Sequence, residues 1–213
     1  ARGAVAEAAG QKKIAEQQYR AALAGESTSF EALARLLGLL GPSRVSEILP
    51  ALERAVARMP DSPRHQALLG EAQLAARNYR AAETSLTRAL QLAPDGDAIR
   101  LSLSRVHLMQ QQPARALSVL ADARPSVDRS VLLGSAYSAS GDWNNAVTHL
   151  QSALDGGRAT PDVLNGLGYA RLKLGQHQQA ADLFRRSLQL NPSQPEIRKL
   201  LGGLAPESPR AAK

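Results

Sequence analysis

Residues Pro161 to Pro192 read PDVLNGLGYARLKLGQHQQAADLFRRSLQLNP, and this stretch decides the fold. In its first half Leu164, Leu167, Gly168, Leu172 and Leu174 recur at helical spacing, and Gly175 suits the left-handed turn that ends a helix. Ala180, Ala181, Leu183, Phe184 and Leu188 restart the period, and Pro192 stops it because proline cannot continue a helix. The stretch is therefore a helical hairpin. Gly168 and Ala180 have a packing reason: where antiparallel helices cross closely, little more than a methyl group fits between the backbones.

The same spacing organises the rest of the chain. Residues 63–96 carry Leu69-Gly70, Tyr79, Ala82, Leu86, Ala89 and Pro94. Residues 97–126 carry Leu103-Ser104, Ala116, Leu120 and Ala123, and residues 127–160 carry Leu133-Gly134, Tyr137, Gly141, Trp143, Ala146, Leu150 and Ala153. Asp97 follows Pro63 by 34 residues, Val127 follows Asp97 by 30, and Pro161 follows Val127 by 34. The unit at 97–126 has lost about one helical turn after Ala123, so its second helix should be short.

The flanking segments follow from that register. In residues 1–24, Gly10-Gln11, Ala15, Tyr19, Ala22 and Leu23 superimpose on Gly175-Gln176, Ala180, Phe184, Ser187 and Leu188, with Gly3 in the slot of Gly168. This is either a repeat truncated inside its first helix, as in a piece of a longer array, or a capping helix. Residues 29–62 read as a degenerate repeat: a helix Phe30 to Leu40, a turn at Gly41-Pro42 and a helix Ser43 to Met59, with Ile48 replacing the small Ala and Leu37-Gly38 shifted. Residues 193–204, with Ile197, Leu200 and Leu201 on one stripe, read as a capping helix, and residues 205–213 as a disordered tail.

The hairpin resembles the tetratricopeptide repeat, whose pattern is Leu-Gly in the first helix and then Ala, an aromatic or Leu, Ala and Pro. Those slots hold Leu167-Gly168, Ala180, Phe184, Ser187 and Pro192, with Ser187 a mild departure. The resemblance covers roughly residues 1–204. It implies an all-α, right-handed α-α superhelix of about five hairpins plus a cap.

Composition agrees with close-packed helices. Of 213 residues 44% are hydrophobic but only 3% aromatic, so Leu, Ala and Val must fill the core. There is no cysteine, which excludes disulfides and thiolate chemistry. No apolar run approaches the roughly 18 residues of a membrane span, and the chain reads as soluble. It begins with Ala and no signal-peptide core follows, which leaves bacterial periplasm, cell envelope and cytoplasm open. The net charge of +7 rests mainly on Arg, a bias that fits a GC-rich bacterial genome.

The residues do not assemble a catalytic or cofactor motif. His65, His107, His149 and His177 lack helical zinc spacing and read as packing or surface residues. Gly166-Leu167-Gly168 sits inside a helix without a third glycine or a preceding strand, Ser135 and Ser138 do not build a nucleophile elbow, and no P-loop is present. No enzyme, cofactor or metal is expected. The basic pairs Lys12-Lys13, Arg185-Arg186 and Arg198-Lys199 are interleaved with acids and lack aromatic neighbours for base stacking, so nucleic-acid binding is a third-ranked reading.

The resemblance implies a non-catalytic protein-interaction scaffold whose first helices line a concave groove. The inward positions are Arg64, Ala67 and Glu71; Leu101, Arg105, Leu108 and Met109; Asp128, Val131, Ser135 and Ser138; and Asn165, Tyr169, Leu172 and Lys173. A carboxylate clamp is not expected, since the corresponding places hold Ala67, Glu71, Ser102, Asp128 and Leu132. The expected partner is a protein segment, in assembly of a bacterial envelope, pilus or secretion complex. The alternative is an interaction module of a larger enzyme or exopolysaccharide-secretion protein. Exposed repeat ends leave a homo-oligomer open.

Overall fold

A computed structural model of the chain describes residues 2–26 and 28–204, and all regular structure among them is helical. The tail expected at 205–213 lies outside the described residues. The chain divides into two compact units, Ala1–Gln110 and Gln111–Lys213. The first contains α1 (Arg2–Ala8), α2 (Lys12–Gly25), α3 (Phe30–Arg44), a 3-10 turn (Val45–Glu47), α4 (Leu49–Arg58), α5 (Pro63–Ala75), α6 (Tyr79–Leu92) and α7 (Asp97–Met109). The second contains α8 (Pro113–Ala121), α9 (Val127–Ser140), α10 (Trp143–Asp155), α11 (Pro161–Lys173), α12 (His177–Leu190) and α13 (Pro195–Leu204).

The small residues sit where two helices touch. A Cβ on Gly70 would lie 2.5 Å from Leu86 Cγ, one on Gly134 2.5 Å from Leu150 Cγ, and one on Gly168 2.7 Å from the Phe184 ring. Gly3 repeats this against Tyr19 at 2.6 Å, so α1 and α2 close like the full hairpins. Ala15, Ala82, Ala146 and Ala180, each twelve residues past its glycine, are fully buried. In the shortened unit Ser104 takes the glycine slot, fully buried, and its hydroxyl donates to the Leu101 carbonyl at 2.8 Å, which satisfies the polar group. As the deletion required, α8 has 9 residues against 14 in α6 and α12.

The turns after the first helices use left-handed backbone. Gly10, Gly141 and Gly175 have φ of 72°, 79° and 76°, and Arg77 and Gln111 hold the same position at 61° and 59° despite their Cβ atoms. The turns cap the helices: Asn78 N donates to Gln73 O, Asp142 N to Tyr137 O and Gln176 N to Arg171 O, at 2.8–2.9 Å. At the N-termini, Pro63, Pro113 and Pro161 stand in the first turn, where a missing N–H costs nothing.

The degenerate repeat departs from its sequence reading. Gly41 does form a turn, at φ 64°, but the helix expected from Ser43 to Met59 is split into the 3-10 turn and α4. Pro50 is the cause: it can stand in the first turn of α4, but inside a longer helix it would clash with the carbonyl four residues back. In this register Leu36 occupies the glycine slot and is buried, while Gly38 meets nothing. The bend brings Glu47 to Arg44 (2.7 Å) and Arg20 (2.6 Å), while Glu16 takes the same two guanidiniums at 2.8 and 3.0 Å. Hydrogen bonds from Arg44, then Arg20, push the Glu47 carboxyl down to about 2.

Candidate functional site

The residues expected to face inward fall on two first-helix faces, one in each unit. In the first unit α5 and α7 adjoin, and α5 also lies against α3. Arg64 is exposed and rests its guanidinium 5.9 Å from the Phe30 ring centroid, a cation–π arrangement. Glu71 is exposed and accepts a long hydrogen bond, 3.3 Å, from Ser102 Oγ. Leu101 and Leu108 are half-buried, Arg105 is exposed, and Met109 is 56% exposed. Neither Arg64 nor Arg105 pairs with a carboxylate among the described residues.

The face of the second unit is built on α9 and α11. Tyr169 is 42% exposed, with the Trp143 ring edge-on at 6.1 Å and Lys173 Nζ 5.2 Å from its centroid. Asn165 donates from Nδ2 to Gln194 Oε1 at 2.7 Å, while its Oδ1 is buried without a partner. Ser138 Oγ is a second buried oxygen without a partner.

Several expected residues already have structural tasks. Asp128 pairs with Arg158 at 2.7 Å, tying the start of α9 to the loop after α10. Ser135 donates to the Val131 carbonyl of its own helix at 2.9 Å, and Val131 is half-buried. The histidines are likewise engaged. His65 is buried, with Nδ1 at 2.7 Å from Ser62 Oγ and Nε2 at 2.9 Å from the Thr28 carbonyl oxygen. His149 stacks on Tyr137 at 5.4 Å, and burial, then the charge of Arg129, holds its pKa below the ordinary value. His107 is buried and His177 exposed.

Two contributors escaped the sequence reading. Phe30 stands six residues before Leu36, as Arg64 stands six before Gly70, but the shift at Leu37-Gly38 hid the equivalence. Trp143 begins a second helix, and only its contact with Tyr169 brings it to the face.

The wedged glycines, buried alanines and left-handed turns define an all-α helical-hairpin repeat protein. Residues 74–132 and 131–195 match the tetratricopeptide repeat family, and the chain belongs to that family. No curated protein matches the chain. Among solved structures it is similar to MamA from Desulfovibrio magneticus RS-1, residues 41 to the end, at 23% identity and a TM-score of 0.64 over 71% of this chain and 88% of that one. It is similar to PilW, described as a widely conserved type IV pilus biogenesis factor, at 17% identity and a TM-score of 0.66 over 75% and 80%. It is also similar to YrrB, described as a tetratricopeptide-repeat protein with an unusual peptide-binding site, at 15% identity and a TM-score of 0.63 over 87% and 96%. These likenesses show the fold. No helix among the described residues is long and apolar enough to cross a membrane.

Proposed function

We propose that this chain is a non-catalytic scaffold that holds extended or helical segments of partner proteins against its first-helix faces. The observation that carries this reading is Tyr169. A large aromatic, 42% exposed, stands on a face the hairpins do not need for their own closure, with Trp143 at its edge and a cation over its ring. Aromatic side chains so placed give buried area at low entropic cost.

In the first unit Arg64, Glu71, Leu101, Arg105 and Leu108 would form the contact surface. In the second unit the contacts would be Asn165, Tyr169 and Lys173, with Asp128, Val131 and Ser135 at the margin. Affinity near the micromolar range, about −8 kcal/mol, is what a flexible segment would reach after its ordering entropy is lost. The pilus role named for PilW and the peptide-binding site named for YrrB favour assembly of a bacterial envelope, pilus or secretion complex as the setting.

The test uses a random dodecapeptide library displayed on phage and selected on the immobilised protein. Tyr169→Ala and Lys173→Glu should each weaken binding of enriched peptides by about tenfold, with the melting temperature nearly fixed. Absence of any enriched peptide, or undiminished binding to both variants, would refute the reading.

A further inference from the structure

One recess in the first unit traces to a departure from the repeat pattern. It holds about 350 Å³ and is walled by Phe30 of α3, by Pro63, Arg64, Ala67, Leu68 and Glu71 of α5, by Ala93 at the end of α6 and by Ile99 of α7. Its cause is legible position by position. Three residues before the small slot, the other units place Leu33, Leu101, Val131 and Asn165 on their first helices, whereas α5 places Ala67. The missing side-chain atoms leave a depression between three helices, with apolar walls and a charged rim.

The rim is polarised and held in place. At one end the Arg64 guanidinium lies over the Phe30 ring and has no carboxylate among the described residues. Arg105, one helix further on, has none either. The one rim carboxylate, Glu71, is engaged by Ser102. The rim is thus cationic at the Arg64 end and anionic at Glu71, and the unpaired Arg64 end is complementary to a carboxylate on whatever enters; a planar guanidinium already positioned over a ring loses little freedom on pairing.

We propose that this recess is an anchor site for one branched or aromatic side chain of a partner segment, borne next to an Asp or Glu that pairs with Arg64. The inference rests on the scaffold reading and deepens it by naming the chemistry of the segment. An apolar side chain moved from water into walls of Phe30, Ala67, Leu68 and Ile99 gains by the area it buries, and the adjacent acid sets the register.

The test again uses the phage dodecapeptide library, selected on the full chain, with binding of each enriched peptide measured by fluorescence polarisation. Ala67→Leu fills the recess with the residue that two equivalent positions, Leu33 and Leu101, already carry, so the fold should keep its melting temperature. Enriched peptides should pair a Leu, Ile or Phe with a neighbouring acid, and Ala67→Leu should weaken them at least about tenfold. Arg64→Glu should reverse the flanking preference from acidic to basic. Peptides that respond to Tyr169→Ala but ignore Ala67→Leu would overturn this site and leave the scaffold reading standing; no enriched peptide would end both. Concentration-dependent self-association in sedimentation, abolished by Ala67→Leu, would assign the recess to a second copy of the chain and also overturn the proposal.

Discussion

Replacing Gly134 with Ala tests the packing on which the hairpins depend. The new Cβ would stand 2.5 Å from Leu150 Cγ, 2.8 Å from Cδ2 and 3.2 Å from the Leu150 backbone nitrogen. The side-chain atoms could swing aside, but the backbone nitrogen can retreat only if α9 and α10 separate. Overpacking of this kind costs about 1–3 kcal/mol. Ala is favoured over Gly inside a helix by up to about 1 kcal/mol, which offsets part of it. The net expectation is a loss of up to about 2 kcal/mol, read by urea denaturation followed through helical circular dichroism. In the melting temperature this is a fall of about 2–4 °C per kcal/mol for a chain of this length. Gly166→Ala is the internal control: its Cβ would meet only the flexible end of Leu150, Cδ1 at 3.3 Å and Cδ2 at 3.8 Å, so helix propensity should dominate and stability should hold or rise. Leu150→Ala alone should cost about 2–5 kcal/mol, and adding it to Gly134→Ala should cost less than the two changes separately, by about 1 kcal/mol. A Gly134→Ala protein as stable as the parent, or a control equally damaged, would refute the wedge.

Other consequences concern turns, charges and caps. Arg77→Gly or Gln111→Gly should stabilise the chain by about 0.5–1 kcal/mol in the same denaturation assay, because each removes a Cβ from left-handed backbone where three sibling turns use glycine. Glu47 ionises at about 2 in the folded chain against an ordinary value of about 4.3, so its contribution is full above the ordinary value and disappears as pH falls towards 2. An acid-unfolding series should therefore find Glu47→Gln less stable than the parent at neutral pH, with the gap closing on acidification and shrinking in high salt. Asp142→Ala should cost about 1 kcal/mol, since Asp142 caps α10 by accepting from Asn145 N at 3.1 Å; unchanged thermal melting would remove it as a cap.

Much of the fold was legible because its signals are local. The interval between Gly168 and Phe184, or Gly134 and Leu150, is set by the length of one hairpin, so a one-dimensional pattern was enough to place the close approaches. The reading failed at residues 43–59, where the pattern of apolar residues outweighed Pro50 and suggested a continuous second helix. The proline decided the outcome because a missing N–H and a ring clash are absolute local constraints, whereas an apolar stripe is satisfied equally by a 3-10 turn followed by a helix.

By itself, then, the sequence determined the hairpins, their register and the shortened α8, and supplied an expectation of which positions face a partner. Only the tertiary structure decided which of those positions remain available. Asp128 is held by Arg158 thirty residues on, and Asn165 by Gln194 twenty-nine on. Phe30 is brought beneath Arg64, and Trp143 against Tyr169. Helical periodicity fixes the direction in which a side chain leaves its own axis, but its partners lie on other helices, and their arrival depends on turns and packing far along the chain.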